Sequence, residues 1–331
     1  MKTLILFFLI SLTTRANTIE SIKERGFLNC GVSEGLTGFS TPNAKGEWSG
    51  FDVDICKAVA VSLFNDASKV KYLPTSLKNR FSHLEEGKID LLSRNTSRTF
   101  SREITNNIEF APVIYFDVQG VLVEKKGGVS KLADLDNKKI CVKNNTTSQE
   151  NIIDYFKLHN LRLREVRFDN NDQLFLAFQK KRCVAVTSDI TTLTSESQKF
   201  HSPNSYRLLK ERIEKEPLAP AIIAGDKLWK NLVTWTIYSL IWAEELGINS
   251  TNIELMKKSR DPRVVRFFGK SFNFEKALGV SSGWTGEVIS KVGNYHEIFH
   301  RNLGENSTLK IKRGLNELWS KGGLLYSPPM K

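Results

Sequence analysis

Lys88-Ile-Asp-Leu-Leu-Ser-Arg-Asn-Thr-Ser-Arg-Thr-Phe-Ser-Arg102 begins as a short apolar strand, up to Ser93, and then becomes a run of hydroxyl, amide and guanidinium groups. The second half has no apolar period, so it reads as neither core strand nor amphipathic helix. Upstream, the pattern spells a strand at 27–32, a loop rich in Gly, Ser, Thr, Pro and Asn at 33–50, and a helix at 50–64. A strand at 69–73 and a helix at 79–87, stopped by Gly87, follow. Asp52 or Asp54 is suited to start the first of these helices, and Ile55, Val59, Ser62 and Leu63 supply its buried stripe. The strand entering Asp90 therefore closes a β-α-β-α-β unit, which implies parallel strands joined by right-handed crossovers. Open α/β sheets place their ligand crevice at the C-terminal strand edge. Asn95, Ser97 and Arg102 fall there. An arginine fork grips a carboxylate through two parallel hydrogen bonds, and hydroxyl and amide neighbours satisfy the remaining lone pairs. The plainer alternative is a solvated loop in which Arg102 forms a surface ion pair.

The same element order returns further along. A long β-prone run at 113–123 is suited to carry the chain out of one lobe and into another. A strand at 139–142, a polar turn at 144–148, a helix at 150–159, a strand at 164–168, a helix at 172–181 and a strand at 182–189 then repeat the series. Two α/β lobes are the natural product. Their strand ends would face one crevice, with Arg102 on one side and Thr147 and Asp189 on the other. An α-amino acid carries one carboxylate and one ammonium; Arg102 suits the first and Asp189 the second. Segments 206–210 and 216–224 cross back, and the remainder reads as mostly helical, at 229–246, 288–299 and 315–319.

The composition is that of a soluble globular protein: 331 residues, 40% apolar and 25% charged. The net charge of +12 is spread along the chain without a block of five like charges, so it reads as a solvated basic surface rather than a nucleic-acid footprint. Residues 1–16 read as a secretory signal peptide, with Lys2 before the apolar run 4–12 and Ala16 as a small residue at the cut. No cysteine stands directly after that run, which argues against a lipid anchor, and no later stretch reaches the ~18 apolar residues of a membrane span. Export exposes thiols to oxidation. Cys141 lies six residues before Thr147 and Cys183 six before Asp189, which puts them at one depth in neighbouring strands; Cys30 sits on the first strand and Cys56 on the helix above it. Pairs Cys30–Cys56 and Cys141–Cys183 are expected, with buried free thiols as the alternative.

Catalytic signatures are weak. Gly31-Val-Ser33-Glu-Gly35 and Gly279-Val-Ser281-Ser-Gly283 match the nucleophile-elbow spelling but lack its strand–serine–helix context. His296-Glu-Ile-Phe-His300 matches a zinc-protease motif without a third ligand downstream. There is no CxxC, Walker loop or GxGxxG, so no cofactor or metal is expected.

Several stretches resemble the periplasmic amino-acid-binding proteins of ABC transporters, in solute-binding family 3. They are Gly50-Phe-Asp-Val-Asp54, Gly87-Lys-Ile-Asp90, the 93–102 run, Thr187-Ser-Asp189, Lys215-Glu-Pro-Leu-Ala-Pro220, Val292-Gly-Asn-Tyr-His-Glu-Ile-Phe299 and the tail from Arg313 to Tyr326. The last four, with the 93–102 run, narrow the resemblance to the general L-amino-acid-binding branch. It implies an α/β, two-lobed type II periplasmic-binding-protein fold, with two parallel-core sheets, a hinge and a helical C-terminal extension. Lobe 1 would be 17–118 plus 213–331 and lobe 2 would be 119–212. In the family, the position of Arg102 binds the ligand carboxylate and that of Asp189 the α-ammonium. Ser97 and Thr147 match groups that assist the carboxylate, with Asn95 beside them. Narrower members sandwich the ligand side chain between aromatics at the positions of Leu36 and Leu77; leucines there imply a softer wall and broad specificity. The implied partners are an L-amino acid and inner-membrane ABC permease subunits, with the protein monomeric, periplasmic and not an enzyme. A dehydratase-like enzyme on the same scaffold, with Glu34 as its extra carboxylate, and a receptor-docking module are the alternatives.

Overall fold

The computed structural model describes residues 17–269 and 274–330; the signal peptide expected at 1–16 lies outside them. Two sheets organise the chain. The first runs Val70–Pro74, Leu28–Val32, Leu91–Leu92, Ala221–Ile223, Ile108–Phe110, and the second Tyr206–Leu208, Tyr115–Glu124, Ala185–Asp189, Lys139–Lys143, Arg164–Phe168. In each, the first strand of its β-α-β-α-β series lies between the second and the third, all parallel: Leu28–Val32 in the first sheet, Lys139–Lys143 in the second. The parallel cores agree with the element order read from the sequence. Antiparallel strands extend both sheets on one side.

Tyr115–Glu124 belongs to both halves of the molecule. Its first residues pair antiparallel with Lys215–Leu218, from Tyr115 opposite Leu218 to Val118 opposite Lys215. From Gln119 onward it pairs with Asp189 and the rest of Ala185–Asp189. The two chain crossings thus form one two-stranded ribbon between the sheets.

The helix Phe51–Phe64 has twelve of its residues buried, not one stripe, because it lies between the first sheet and the helices Lys227–Glu245 and Trp284–Val292. Its N-cap is Gly50, at φ 135°, where a Cβ would collide with the Phe39 carbonyl. Asp52 and Asp54 are therefore not its caps. Asp54 binds Arg301 Nε at 2.8 Å, and Asp52 reaches toward the 93–95 turn. The helix expected at 288–299 is two, Trp284–Val292 and Tyr295–Asn302, broken at Gly293 and restarted by Asn294. The segment expected at 315–319 is two short 3-10 turns, Gly314–Asn316 and Trp319–Lys321. The 33–50 loop contains a small hairpin of Thr41–Pro42 with Trp48–Ser49.

Both expected disulfides are formed, Cys30–Cys56 and Cys141–Cys183. Cys183 precedes the strand Ala185–Asp189 rather than lying within it, and Val186 is the residue opposite Cys141. Among the described residues, no helix is long and apolar enough to cross a membrane.

Candidate ligand-binding cleft

The 93–102 run is shaped by Asp52. This buried carboxylate accepts from Ser93 Oγ at 3.1 Å and from the Asn95 amide at 2.9 Å, so it pins the turn where the strand ends. Asn95 adopts φ 35°, a left-handed conformation that asparagine tolerates better than most residues. Burial raises the Asp52 pKa to about 7. Contrary to the sequence reading, the end of the run is helical: Phe100–Thr105 forms a short helix capped by Thr99, and Arg102 sits on it. Arg102 Nη1 donates to the Ser97 carbonyl at 2.6 Å, which aims the guanidinium back across the strand end.

On the other side, Thr147 opens the helix Thr147–Leu158, with Thr146 as N-cap, so the polar turn is in part the first helical turn. Asp189 ends the strand Ala185–Asp189. Two adjoining cavities lie between the halves. The inner one, about 370 Å³, is lined by Leu77, Asn95, Ser97, Arg102, Thr147 and Asp189, together with Arg80, Arg94, Lys143, Thr146, Ser148, Ser188 and Thr192. The outer one, about 520 Å³, is bounded by Leu36, Leu77 and Asn95 and shares Arg94 and Lys143 with the inner. All seven residues singled out in the sequence are brought to this cleft.

Two of them are engaged otherwise than expected. The hydroxyls of Ser97 and Thr147 donate to one oxygen of Glu216, the latter at 2.9 Å, and Asn151 Nδ2 donates to the other at 3.3 Å. Glu216 lies on the hinge strand Lys215–Leu218 and is almost fully buried. Burial, and then the Asp189 carboxylate, push its pKa up to about 7. Behind Asp189 lies a second buried carboxyl, Asp117, on the other hinge strand. Burial and the Asp189 charge push the pKa of Asp117 up to about 8. Lys143 and Arg102 face Asp189, whereas among the described residues Asp117 has neutral donors, the Val118 amide and the Thr191 amide and hydroxyl. Burial raises the pKa of Asp189 as well, but the facing cations favour its ionised form, so of the coupled pair Asp117 holds the proton more readily.

Sequence reasoning missed Arg80, Arg94, Lys143, Asp117 and Glu216. Arg94 follows a strand in the quoted run and Lys143 ends one, so the strand-end rule would have found both. Arg80 reads as an ordinary charge on a helix, and Glu216 as part of a Glu-Pro hinge.

The catalytic motifs dissolve into structure. Glu297 caps its own helix, accepting from the Asn294 amide at 2.8 Å, and also binds Ser250. His296 and His300 stack with ring centres 4.2 Å apart, and no group of potential metal ligands occurs among the described residues. Ser33 Oγ pairs with Ser40 Oγ at 2.6 Å, with no helix directly after it.

Residues 28–318 match the family model of bacterial extracellular solute-binding proteins, family 3. The chain is 46% identical, over 96% of its length and 93% of the relative's, to the general L-amino acid-binding periplasmic protein AapJ of Rhizobium johnstonii. It is 37% identical, over 98% and 96%, to the glutamate/glutamine/aspartate/asparagine-binding protein BztA of Rhodobacter capsulatus. Among solved structures, an ABC transporter periplasmic binding protein from Brucella ovis with glutathione bound superimposes with a TM-score of 0.93, at 41% identity, covering 96% of this chain and 100% of that one.

Proposed function

The chain belongs to family 3 of the bacterial extracellular solute-binding proteins, and from that premise we propose that it captures L-amino acids of several chemical classes and delivers them to the permease of an ABC transporter. In this reading it is exported to the periplasm, and lobes 17–118 plus 213–331 and 119–212 close on the ligand. Arg102 receives the α-carboxylate and Asp189 the α-ammonium. The observation that carries the reading is the meeting of these opposite charges, from different sheets, in the wall of one cavity. Asn95, Thr147 and Ser97 line the carboxylate end. Leu36 and Leu77 form the wall against the side chain, and their flexible aliphatic surface suits ligands of different shape. The names of the relatives support an amino-acid or small-peptide ligand.

Calorimetric titration of the purified protein with an L-amino acid, its amide and its des-amino analogue tests the assignment. Arg102→Ala and Asp189→Ala each strand a buried ligand charge, a loss of roughly 2–5 kcal/mol in binding. The Arg102 loss shrinks for the amide and the Asp189 loss for the des-amino compound. If Arg102→Ala binds the amino acid within a few fold of wild type, Arg102 is not the carboxylate site. Ligand recovered unchanged after incubation separates carriage from the enzyme reading.

A further inference from the structure

The inner cavity holds more positive charge than a neutral amino acid can use. Arg80, Arg94, Arg102 and Lys143 line it, with Asp189 as the one carboxylate in its wall. Arg80 and Arg94 are buried and the other two partly so. Among the described residues, none of the four lies within 4.0 Å of a carboxylate oxygen. Their hydrogen bonds go to neutral acceptors. Arg94 Nε donates to the Thr75 carbonyl at 2.7 Å, Lys143 Nζ to Asn171 Oδ1 at 2.9 Å, and Arg102 to the Ser97 carbonyl. Arg80 lies over the Phe81 ring, and its buried Nε has no hydrogen-bond partner among the described residues.

The surrounding acids do not cancel this charge. Asp52 is taken by Ser93 and Asn95, and Glu216 by Ser97, Thr147 and Asn151. Glu34, Asp169 and Asp172 are exposed at the rim of the outer cavity, where water screens them, and Asp169 is already paired with Lys78. A zwitterionic ligand contributes one carboxylate for Arg102 and one ammonium for Asp189. Arg80 and Arg94 are then left clustered beside Lys143, which shares Asp189 with the ligand ammonium, and the three repel one another, an unfavourable arrangement for buried cations.

Resting on the amino-acid reading above, we propose that Arg80, Arg94 and Lys143 form an acceptor for a second carboxylate, so that acidic amino acids are the tightest ligands of this cleft. Arg94 and Lys143 border both cavities, so the second carboxylate sits at their junction. Arg80 and Arg94 come from the first sheet's side and Lys143 from the second's, so the side-chain carboxylate joins the two halves as the α-carboxylate and ammonium do. Burial, reinforced by Arg94, lowers the Lys143 pKa to about 8, low enough that loss of its charge weakens the acceptor within an accessible pH range. The preference is graded: neutral ligands still find Arg102 and Asp189.

The test is calorimetric titration of wild-type protein, at pH 7 and low salt, with L-glutamate and L-aspartate against their near-isosteric amides, L-glutamine and L-asparagine. Each acid binds at least about tenfold more tightly than its amide. Lys143→Met keeps the aliphatic stem and removes the charge. It weakens glutamate binding at least about tenfold more than it weakens glutamine binding, with an unchanged melting temperature as the folding control. The wild-type comparison needs no variant. Amides binding as tightly as acids, or Lys143→Met lowering both equally, overturns the second acceptor and leaves the amino-acid reading intact. Failure of all four ligands, and of a panel of neutral amino acids, overturns both.

Discussion

Glu216 holds the two hydroxyls that the family pattern assigns to the ligand, and its charge state controls how firmly. Its pKa rises from an ordinary 4.5 to about 7 because burial, and then Asp189, disfavour the ionised form. A carboxyl whose folded value lies above its unfolded value stabilises the fold in its protonated form. That contribution is full below about pH 4.5 and is lost as the pH rises through about 7. Asp52 and Asp117 titrate with the same sign, at about 7 and about 8, so the total pH profile does not isolate Glu216. The difference between wild type and Glu216→Gln does. Urea denaturation at pH 5 and pH 8 should show wild type losing more stability than the variant between the two values; equal losses would mean Glu216 carries no titration in this window. What the sequence made legible at this scale followed one rule. Asp189 ends a strand and Ser97 follows one, so topology sends them to the crevice, whereas Arg102 is carried there by the short helix Phe100–Thr105. Arg80 and Glu216 act through burial that their helix and edge-strand settings do not announce, because a charged residue in either place is normally solvated.

Among the elements, those that bury a continuous apolar surface were the ones a pattern could find. Lys227–Glu245 and the parallel strands appeared near their expected positions because their side chains meet a core. Phe100–Thr105 was missed for the opposite reason. None of its residues is buried, and Phe100 is 81% exposed, so the helix carries no period to read and rests on the Thr99 cap. The cysteines were legible from strand depth even though Cys183 proved to lie in the turn before its strand. Each bridge ties elements of one sheet's own layer: Cys30 on a strand to Cys56 on the helix above, and Cys141 on a strand to the turn entering its neighbour. The bridges close loops with sequence separations of 26 and 42, which limits the unfolded chain by about 2–4 kcal/mol each. Replacing Cys141 and Cys183 together by Ala should lower unfolding free energy by about that amount. Alkylation of denatured, unreduced wild-type protein should label no cysteine; four labelled positions would show that neither bridge forms.

At the scale of the molecule, the apolar cores divide as the sheets do. The clusters around Ile140 and Phe156 and around Leu174 and Phe178 draw their buried members from residues 121–209 alone. Those around Phe51 and Trp229 and around Leu84 and Phe110 draw theirs from 19–115 and 218–330. Among the described residues, polar contacts between the halves include Ser195 Oγ to the Thr37 carbonyl at 3.0 Å, Tyr115 Oη with Thr191 Oγ1 at 2.9 Å, the Thr191 amide to Asp117 at 3.3 Å, Lys78 with Asp169 at 3.3 Å, and the Glu216 hydroxyl cluster. Because such pairs exchange readily with water, opening the cleft should cost far less than unfolding either half, with the ribbon of residues 115–118 and 215–218 as the element expected to bend. A unit with its own core, its own disulfide and both ends at one hinge satisfies the requirements for independent folding. Residues 119–212 expressed alone should therefore fold, keep the Cys141–Cys183 bridge and protect the amides of Lys139–Lys143 and Arg164–Phe168 from hydrogen exchange. Without the partner half they should bind no amino acid measurably, because Arg102 is absent. Exchange of those strand amides at the rate of an unstructured chain would show that the boundary is misplaced and that the second sheet depends on the first.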